Sequence, residues 1–247
     1  MNNSGYRRIA IIPSCHNTSQ LLKVIAGFDK DTVDKICIVI DCATAKDKMQ
    51  VENTAASKTI PIHLVTSQKR RGIGVAIREG IEYAAKEKFD IAIIMAGNGK
   101  DQPQEIRRLL NPIMVQGYDY VQGSRFLPGG KHVKNPFLRR MFSQLFPFAW
   151  TLTTRIRCTD VTNGFRAYKL SIFDDTRINI RQDWLDGYQL EYYIQYKVLT
   201  LGYKVREVPV SKIYPFNHKG GYSRISPFRD WWTIVSPLVY LKLGIRK

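Results

Sequence analysis

Short apolar runs alternate with longer, helix-like segments along the first half of the chain. Four runs bounded by polar or glycine-containing turns predict β-strands, at residues 8–13, 36–41, 61–66 and 90–95. The segments that follow them are typical of helices, at residues 18–27, 46–57, 72–88 and 103–116. Such a β-α-β-α alternation predicts an α/β fold with a mostly parallel sheet flanked by helices, joined by right-handed crossovers.

The pattern changes after residue 118. Residues 120–126 predict a further strand, followed by a basic loop rich in proline and glycine at 128–136. The remaining predicted elements are two helices at residues 137–154 and 184–201, and a strand at 204–210. No internal repeat interrupts this order, so we expect one main domain.

A chain of 247 residues with 44% hydrophobic content is long enough for one substantial core. We expect a domain over residues 1–225 and a C-terminal segment over 226–247. The C-terminal segment combines Trp231 and Trp232 with aliphatic and basic residues, a composition that suits a helix lying in lipid headgroups. Packing of the same residues on the main domain is the open alternative.

The chain is strongly basic. It contains 38 Lys and Arg against 21 Asp and Glu, a net charge of +17. This excess indicates an anionic partner such as a diphosphate, a lipid phosphate or an anionic membrane surface. No recognition-helix, zinc-finger or RNP-like pattern is found, so we expect no nucleic acid partner. A generally basic protein without a specific anionic ligand stays open.

Four cysteines occur without C-x-x-C spacing, mainly in or beside apolar runs. We interpret them as buried free thiols of a reducing compartment, with neither a disulfide framework nor a zinc site. The N-terminal residues lack the core of a signal peptide, and no apolar run has membrane-spanning length. These features predict a cytoplasmic protein that is soluble or peripheral on the membrane.

The fourth apolar run ends in a glycine-rich turn, Ala96–Pro103, just before a predicted helix. In open α/β sheets, ligands bind at the carboxyl ends of the strands, so this turn is a candidate site. Its glycines permit close approach of the backbone to a diphosphate, and Lys100 offers a positive charge. Asp101 is the one carboxylate of the turn, and its position before Gln102 and Pro103 also suits a helix N-cap.

Several segments together resemble family 2 glycosyltransferases of the GT-A fold, and within them the dolichyl- and polyprenyl-phosphate sugar synthases. The strongest is Asp160-Val-Thr-Asn-Gly-Phe-Arg166, which follows the family's order and spacing closely. The others are residues 72–80, 91–103, 123–126, 187–191, 208–210 and 218–224. The resemblance covers roughly residues 8–226 and implies a Rossmann-like domain that binds a nucleotide diphosphate sugar.

In the family, the turn after the fourth strand carries Met-Asp-x-Asp, and its two carboxylates hold a divalent cation. Here those positions are Ala96 and Asn98. The resemblance therefore implies that Mg²⁺ or Mn²⁺ binding is weak or absent, with Asn98 and Asp101 as the remaining candidate ligands.

The resemblance also assigns candidate roles in binding and catalysis. The implied donor-binding residues are Pro13, Asp41, Gly72, Asn98, Lys100, Lys219 and Arg224. The implied acceptor-binding residues are Arg125, Arg139, Arg140 and Ser143, and the implied catalytic residues are Asp160, Arg166 and Glu191. Structural alternatives stay open: a helix cap for Asp41, a solvated face for Arg139 and Arg140, and a buried ion pair for Glu191.

The implied function is transfer of a hexose-type sugar, with inversion, from a nucleotide diphosphate donor to a polyprenyl phosphate at the cytoplasmic membrane face. Arginines and lysines would then stabilise the departing diphosphate in place of a metal. One alternative is a polysaccharide glycosyltransferase with a sugar hydroxyl as acceptor, which would need a base such as Asp160 or Glu191. Another is a catalytically silent domain that binds a nucleotide sugar or serves as a scaffold.

Overall fold

The protein is described by a computed structural model over residues 5–29, 31–133, 137–214 and 231–246, with the backbone alone described at residues 133, 137–144 and 231. Nine strands are found in this part of the chain: β1 (Arg8–Cys15), β2 (Lys35–Asp41), β3 (Ile62–Ser67), β4 (Ile91–Ile94), β5 (Tyr120–Ser124), β6 (Lys131–Val133), β7 (Arg166–Lys169), β8 (Val205–Pro209) and β9 (Ser211–Ile213). The helices are α1 (Thr18–Ala26), α2 (Ala45–Ala56), α3 (Ile73–Lys86), α4 (Ile106–Gln116), α5 (Phe137–Thr154), α6 (Gln189–Thr200) and α7 (Trp231–Lys242).

Seven strands form one sheet in the order β3-β2-β1-β4-β7-β5-β8, and β6 pairs with β9 in a small second sheet. All pairings in the large sheet are parallel except those of β7, which runs antiparallel to β4 and β5. The expected α/β fold with a mostly parallel sheet is therefore confirmed. The antiparallel β7 was not predicted, because its four residues are too few to give a periodic signal.

The core lies in two layers, one on each face of the sheet. Alternate residues of β1 point to opposite layers: Ala10 and Ile12 to one, Ile9 and Ile11 to the other. Helices α1 and α4 cover the first layer, and helices α3 and α6 cover the second. Because both faces are covered, the central strands are continuous apolar runs, as is usual for parallel strands.

Helix α3 lies unusually close to β1 because of Gly80. A Cβ added at Gly80 would lie 2.3 Å from Ile11 Cγ2, which is closer than real Cβ atoms come. At the start of α3, a Cβ at Gly74 would lie 2.0 Å from the carbonyl oxygen of Leu185. The glycines of residues 72–80 thus let this helix approach its neighbours closely.

We expect Gly80→Ala to lower the free energy of unfolding by about 1–3 kcal/mol, the usual cost of overpacking a core. The added methyl group would clash with Ile11, so Gly80→Ala combined with Ile11→Ala should lose less stability than the sum of the single changes. Urea denaturation of the variants measures this. Gly5→Ala is the matched control, since its Cβ would meet no atom within 4 Å. Additive losses would contradict the close contact.

The first four predicted strands and four predicted helices are found within a few residues of their expected bounds. Two predictions need correction. The helix expected over 184–201 is interrupted: a 3₁₀ turn at Asp183–Leu185 precedes α6. The segment from 128 to 133 contains β6, whose partner β9 follows β8 directly, so the expected loop begins a second sheet.

The described part of the C-terminal segment packs on the domain. In α7, Ser236 and Leu238 are buried, and the Tyr240 ring lies 6.0 Å from the Trp184 ring between centroids. Trp232 remains 55% exposed. The packing alternative therefore applies to α7, while the boundary expected at residues 225 and 226 falls outside the described residues. Within the described ranges, no helix combines the length and apolar character needed to span a bilayer.

Candidate active site

The carboxyl ends of β1, β2 and β4 lie side by side at one edge of the sheet. Cys15 is paired with Asp41 in the register of β1 and β2. The turn after β4 is tied to β1 because the Gly97 N–H donates to the carbonyl oxygen of Pro13 at 3.3 Å. Pro13 itself is buried within β1. The ends of β1, β2 and β4, where the sequence analysis placed candidate donor-binding residues, are thus neighbours in the structure. The backbone carbonyl group of Pro13 holds the turn after β4 in place.

Side chains of the turn after β4 stabilise the turn itself. The Asn98 Oδ1 accepts a hydrogen bond from the Lys100 N–H at 3.2 Å. The Asp101 Oδ2 accepts one from the Ala96 N–H at 3.2 Å, and Asp101 is buried. Both expected metal ligands therefore already hold backbone groups of the turn.

Lys212, on β9, reaches this turn and was missed by the sequence analysis. Its Nζ lies 2.9 Å from Asp101 Oδ1 and donates to Asn163 Oδ1 at 2.9 Å. The contact with Asp101 is ionic, since no aligned hydrogen bond to Oδ1 is found among the described residues. The only signal in the sequence was a lysine within the run Ser211-Lys-Ile213, which does not reveal its partner.

Lys100 is also buried in this region. Its Nζ lies 4.9 Å from the centre of the Tyr214 ring, and its carbonyl oxygen accepts a hydrogen bond from the Ile213 N–H. We call Lys100, Asp101, Lys212 and Tyr214 the lysine cluster. Two ammonium groups and one carboxylate, 2 − 1, leave the cluster one net positive charge.

Arg125 and Asp160 form a buried ion pair. Arg125 Nε donates to Asp160 Oδ2 and Arg125 Nη2 to Asp160 Oδ1, both at 2.7 Å, and the two residues are 3% and 0% exposed. Burial lowers the pKa of Arg125, but the charge and hydrogen bonds of Asp160 outweigh it and raise that pKa above its usual range. Arg125 also donates to Thr162 Oγ1 at 2.6 Å.

This pair involves two of the candidate site residues. The Arg125 guanidinium, expected to bind the acceptor phosphate, faces Asp160 and Thr162 and is buried. Both oxygens of Asp160, an expected catalytic residue, accept hydrogen bonds from Arg125. The roles of both residues in binding and catalysis stay predictions. The strong motif at 160–166 thus joins β5 to the segment before β7 through a bidentate pair.

Arg166 is likewise buried and hydrogen-bonded within the protein. As the first residue of β7 it points into the protein and donates to three backbone carbonyl oxygens: Nε to Asn163 at 2.9 Å, Nη1 to Glu191 at 2.6 Å and Nη2 to Val161 at 2.9 Å. The residue is 1% exposed. These hydrogen bonds hold the 161–163 turn and the start of α6 together, and the catalytic role expected for Arg166 stays a prediction.

Glu191 lies in the first turn of α6, and its Oε1 is 3.7 Å from Arg166 Nε. A Cβ added at Gly164 would lie 2.9 Å from the same oxygen, so this carboxylate fits against the glycine. In the structure, Glu191 therefore forms an ion pair with Arg166, as the structural alternative expected. A role in orienting the sugar stays a prediction.

Asp41 organises the entry to α3. It accepts from the N–H groups of Arg71 and Gly72 at 2.8 and 3.0 Å, and from Arg71 Nε at 3.0 Å. Gly72 has φ of 114°, and a Cβ there would lie 2.3 Å from the Asp186 carbonyl oxygen. The carboxylate and the glycine thus hold the backbone before α3. Asp41 is not the helix N-cap that the alternative expected, because Thr44 is the N-cap of α2 and Gly72 is the N-cap of α3, which has no side-chain cap hydrogen bond. Their contact with a donor stays a prediction.

A cleft of about 450 Å³ opens beside this segment. It lies between the start of α3, the 183–189 segment and α7, and Arg70, Gly72, Tyr188 and Thr233 are among its lining residues. Since Gly72 is held by Asp41, a ligand in the cleft would contact backbone whose position Asp41 determines.

The remaining candidate site residues lie outside the described residues or are described by their backbone alone. Lys219 and Arg224 lie outside the described residues. Arg139, Arg140 and Ser143 lie in α5, as predicted, but their side chains are outside the description. Their proposed contacts with donor and acceptor stay predictions.

Comparison with known proteins agrees with this geometry. The family described as Glycosyl transferase family 2 matches residues 9–177. An undecaprenyl-phosphate mannosyltransferase of Micrococcus luteus is 28% identical, with 83% of each chain covered. A polyprenol monophosphomannose synthase of Mycolicibacterium smegmatis is 23% identical over 83% of this chain and 77% of the relative.

Solved structures show the same fold. Glucosyl-3-phosphoglycerate synthase from Mycobacterium tuberculosis, solved with Mn²⁺, UDP and phosphoglyceric acid, has a TM-score of 0.63 at 15% identity, covering 95% of this chain and 79% of that one. The same enzyme has also been solved with Mg²⁺ and UDP. The GT-A fold expected from the sequence is confirmed, and the family match spans more than half of the residues. The chain therefore belongs to glycosyl transferase family 2.

Proposed function

We propose that this protein transfers a hexose-type sugar from a nucleotide diphosphate sugar to a polyprenyl phosphate, with inversion at the anomeric carbon. The observation that carries the proposal is the similarity, over 83% of both chains, to an undecaprenyl-phosphate mannosyltransferase. The polyprenol monophosphomannose synthase supports the same acceptor class.

The carboxylates of the site favour a phosphate acceptor over a sugar hydroxyl. A hydroxyl needs a general base, whereas a phosphate is already ionised. Of the two candidate general bases, Asp160 accepts hydrogen bonds from Arg125, and Glu191 lies 3.7 Å from Arg166. The two other nominated carboxylates are also engaged, Asp41 by backbone N–H groups and Asp101 by Lys212. An acceptor that brings its own negative charge suits such a site.

The turn after β4 offers a hard divalent cation few protein ligands. Mg²⁺ requires several oxygen ligands in near-octahedral geometry. Ala96 offers none, Asn98 Oδ1 holds the Lys100 N–H, and Asp101 is shared between a backbone N–H and Lys212. We therefore infer that metal dependence is weak, and that the lysine cluster, with its net positive charge, stabilises the departing nucleotide diphosphate.

An exposed apolar row supports contact with an anionic membrane. On α5, Leu145, Phe148 and Leu152 recur at helical spacing and are 58%, 73% and 74% exposed. Arg155 and Arg157, both exposed, follow the row. Apolar residues beside basic ones on a protein of charge +17 suit an anionic headgroup region, where the lipid acceptor would be held.

The function is tested by incubating the full chain with radiolabelled nucleotide sugars and polyprenyl phosphate in detergent. We expect a lipid-linked sugar product that persists when a chelator is present, because the turn after β4 has Ala96 and Asn98 where the family carries two carboxylates. Loss of product with chelator and recovery with Mn²⁺ would overturn the metal inference alone. Transfer only to saccharide hydroxyls would support the polysaccharide alternative. Donor binding without transfer or hydrolysis would support a silent domain.

Membrane contact gives a separate prediction. We expect Leu145→Ser, Phe148→Ser and Leu152→Ser, combined in one variant, to weaken binding to phosphatidylglycerol vesicles at least tenfold, because the apolar contact with lipid is lost. Vesicle flotation measures this, and a thermal melt reports folding. Val115→Ser is the matched control, since Val115 is 74% exposed on α4. Equal binding of the triple variant and the control would exclude the α5 row as the contact.

A further inference from the structure

The ends of β1 and β2 bring three ligand-type side chains together outside the turn after β4. The Sγ atoms of Cys15 and Cys42 and an imidazole nitrogen of His16 all lie within 4.8 Å of one another. Cys15 and Cys42 are half-buried, and His16 is exposed. The group is therefore accessible from solvent.

The backbone holds this group in an uncommon conformation. His16 has φ of 54° and Cys42 has φ of 58°, in the left-handed region that non-glycine residues rarely adopt. Each residue lies at or just beyond the end of a buried strand, and the two strands are neighbours in the sheet. Residues in such conformations concentrate at functional sites, where the surrounding fold maintains them.

The chemistry of the group suits a soft metal ion. Thiolate and imidazole are preferred ligands of Zn²⁺, and sites with three protein ligands keep a fourth position for water or another ligand. In a tetrahedral Zn²⁺ site the ligand atoms lie roughly 3.5–3.8 Å apart, given metal–ligand bonds of about 2.0–2.3 Å. Because the three atoms lie within 4.8 Å of one another, each pair would have to close by about 1.3 Å at most.

We propose that Cys15, His16 and Cys42 bind one soft divalent metal ion of the Zn²⁺ class at the carboxyl ends of β1 and β2. This site is separate from the turn after β4 and does not rest on the proposed function. It revises the expectation that the cysteines form no zinc site, which was based on sequence spacing. Cys42 lies far from Cys15 in the chain, and only the parallel pairing of β1 and β2 makes them neighbours.

The test is a titration of the full chain, freed of metal by chelator and kept reduced with a phosphine. Cobalt(II) is the probe because thiolate ligands give it a charge-transfer absorption in the near ultraviolet. We expect saturation at one equivalent and displacement of cobalt by Zn²⁺. The changes Cys15→Ser, Cys42→Ser and His16→Asn should each weaken cobalt binding at least tenfold. Cys158→Ser, a buried thiol elsewhere, is the control and should bind normally.

Folding of the variants is checked by a thermal melt without metal, and Zn²⁺ should raise the melting temperature of the wild type and of Cys158→Ser only. Absence of the thiolate band at one equivalent would overturn the proposal, as would a band of full strength in Cys15→Ser or Cys42→Ser. A His16→Asn variant with unchanged affinity would also overturn it. Recovery of a Cys15–Cys42 disulfide from the protein as purified, with no metal uptake after reduction, would identify the group as a redox pair instead.

Discussion

Replacing Arg125 by Met is expected to lower the free energy of unfolding by about 3–5 kcal/mol, the usual cost of removing one partner of a buried ion pair. The reason is that Asp160 would be left charged and fully buried, without the two 2.7 Å hydrogen bonds that Arg125 now donates. Chemical denaturation of the variant and the wild type measures this. Arg181→Met is the control, because Arg181 pairs with Glu82 at the surface, where such pairs contribute about 0–1 kcal/mol.

A double substitution distinguishes a structural role of Arg125 from a role in acceptor binding. Arg125→Met combined with Asp160→Leu removes both charges, so we expect it to regain a large part of the stability lost by Arg125→Met alone. If Arg125→Met instead melts like the wild type and loses affinity for polyprenyl phosphate, Arg125 contacts the acceptor, and its assignment as a structural residue is wrong.

Lys100→Met is expected to lower kcat for sugar transfer about 100-fold or more while changing the melting temperature little. Loss of one preorganised group that stabilises transition-state charge typically costs about 10²–10³ in rate. The variant leaves the contact between Asp101 and Lys212 in place, so the lysine cluster becomes neutral without leaving Asp101 unpaired. Lys86→Met is the control, since Lys86 is exposed in the last turn of α3.

Changing Lys212 tests whether a metal cation can replace the positive charge of the lysine cluster. Lys212→Ala removes one positive charge of the lysine cluster, so we expect it to lower the rate of sugar transfer. It also frees Asp101 and opens space beside it, so added Mn²⁺ should restore part of that rate. Lys212→Ala combined with Asp101→Asn should not respond to Mn²⁺. Normal turnover by Lys100→Met, or abolition of wild-type transfer by chelator, would show that the lysine cluster does not take the place of a cation.

The first half of the fold was predictable because it depends on local signals. Strands β1 and β2 contain continuous apolar runs at residues 9–13 and 36–40, and α3 has both its periodicity and its glycines in the sequence. β7 and β9 are short and carry polar residues, and their conformation depends on neighbouring strands that are distant in the chain. Their existence could not be predicted from a local pattern.

In the candidate site, too, the sequence identified important residues but not the groups that they contact. The sequence indicated that Asp160 and Arg166 are special, because the 160–166 segment follows a family pattern. It did not indicate that Asp160 pairs with Arg125 or that Arg166 donates to backbone carbonyls. A spacing along the chain does not say which way a side chain points, and β7 turns Arg166 into the interior.

The sequence by itself determined the α/β class, the family, the basic character and the presence of Ala96 and Asn98 in the turn after β4. These follow from periodicity, composition and residue identity, which need no knowledge of distant contacts. Only the tertiary structure decided that Lys212 meets Asp101, that Arg125 and Arg166 are buried, and that Cys15, His16 and Cys42 meet at one edge. The physical reason is that these contacts join segments far apart in the chain, and strand order and register alone bring them within bonding distance.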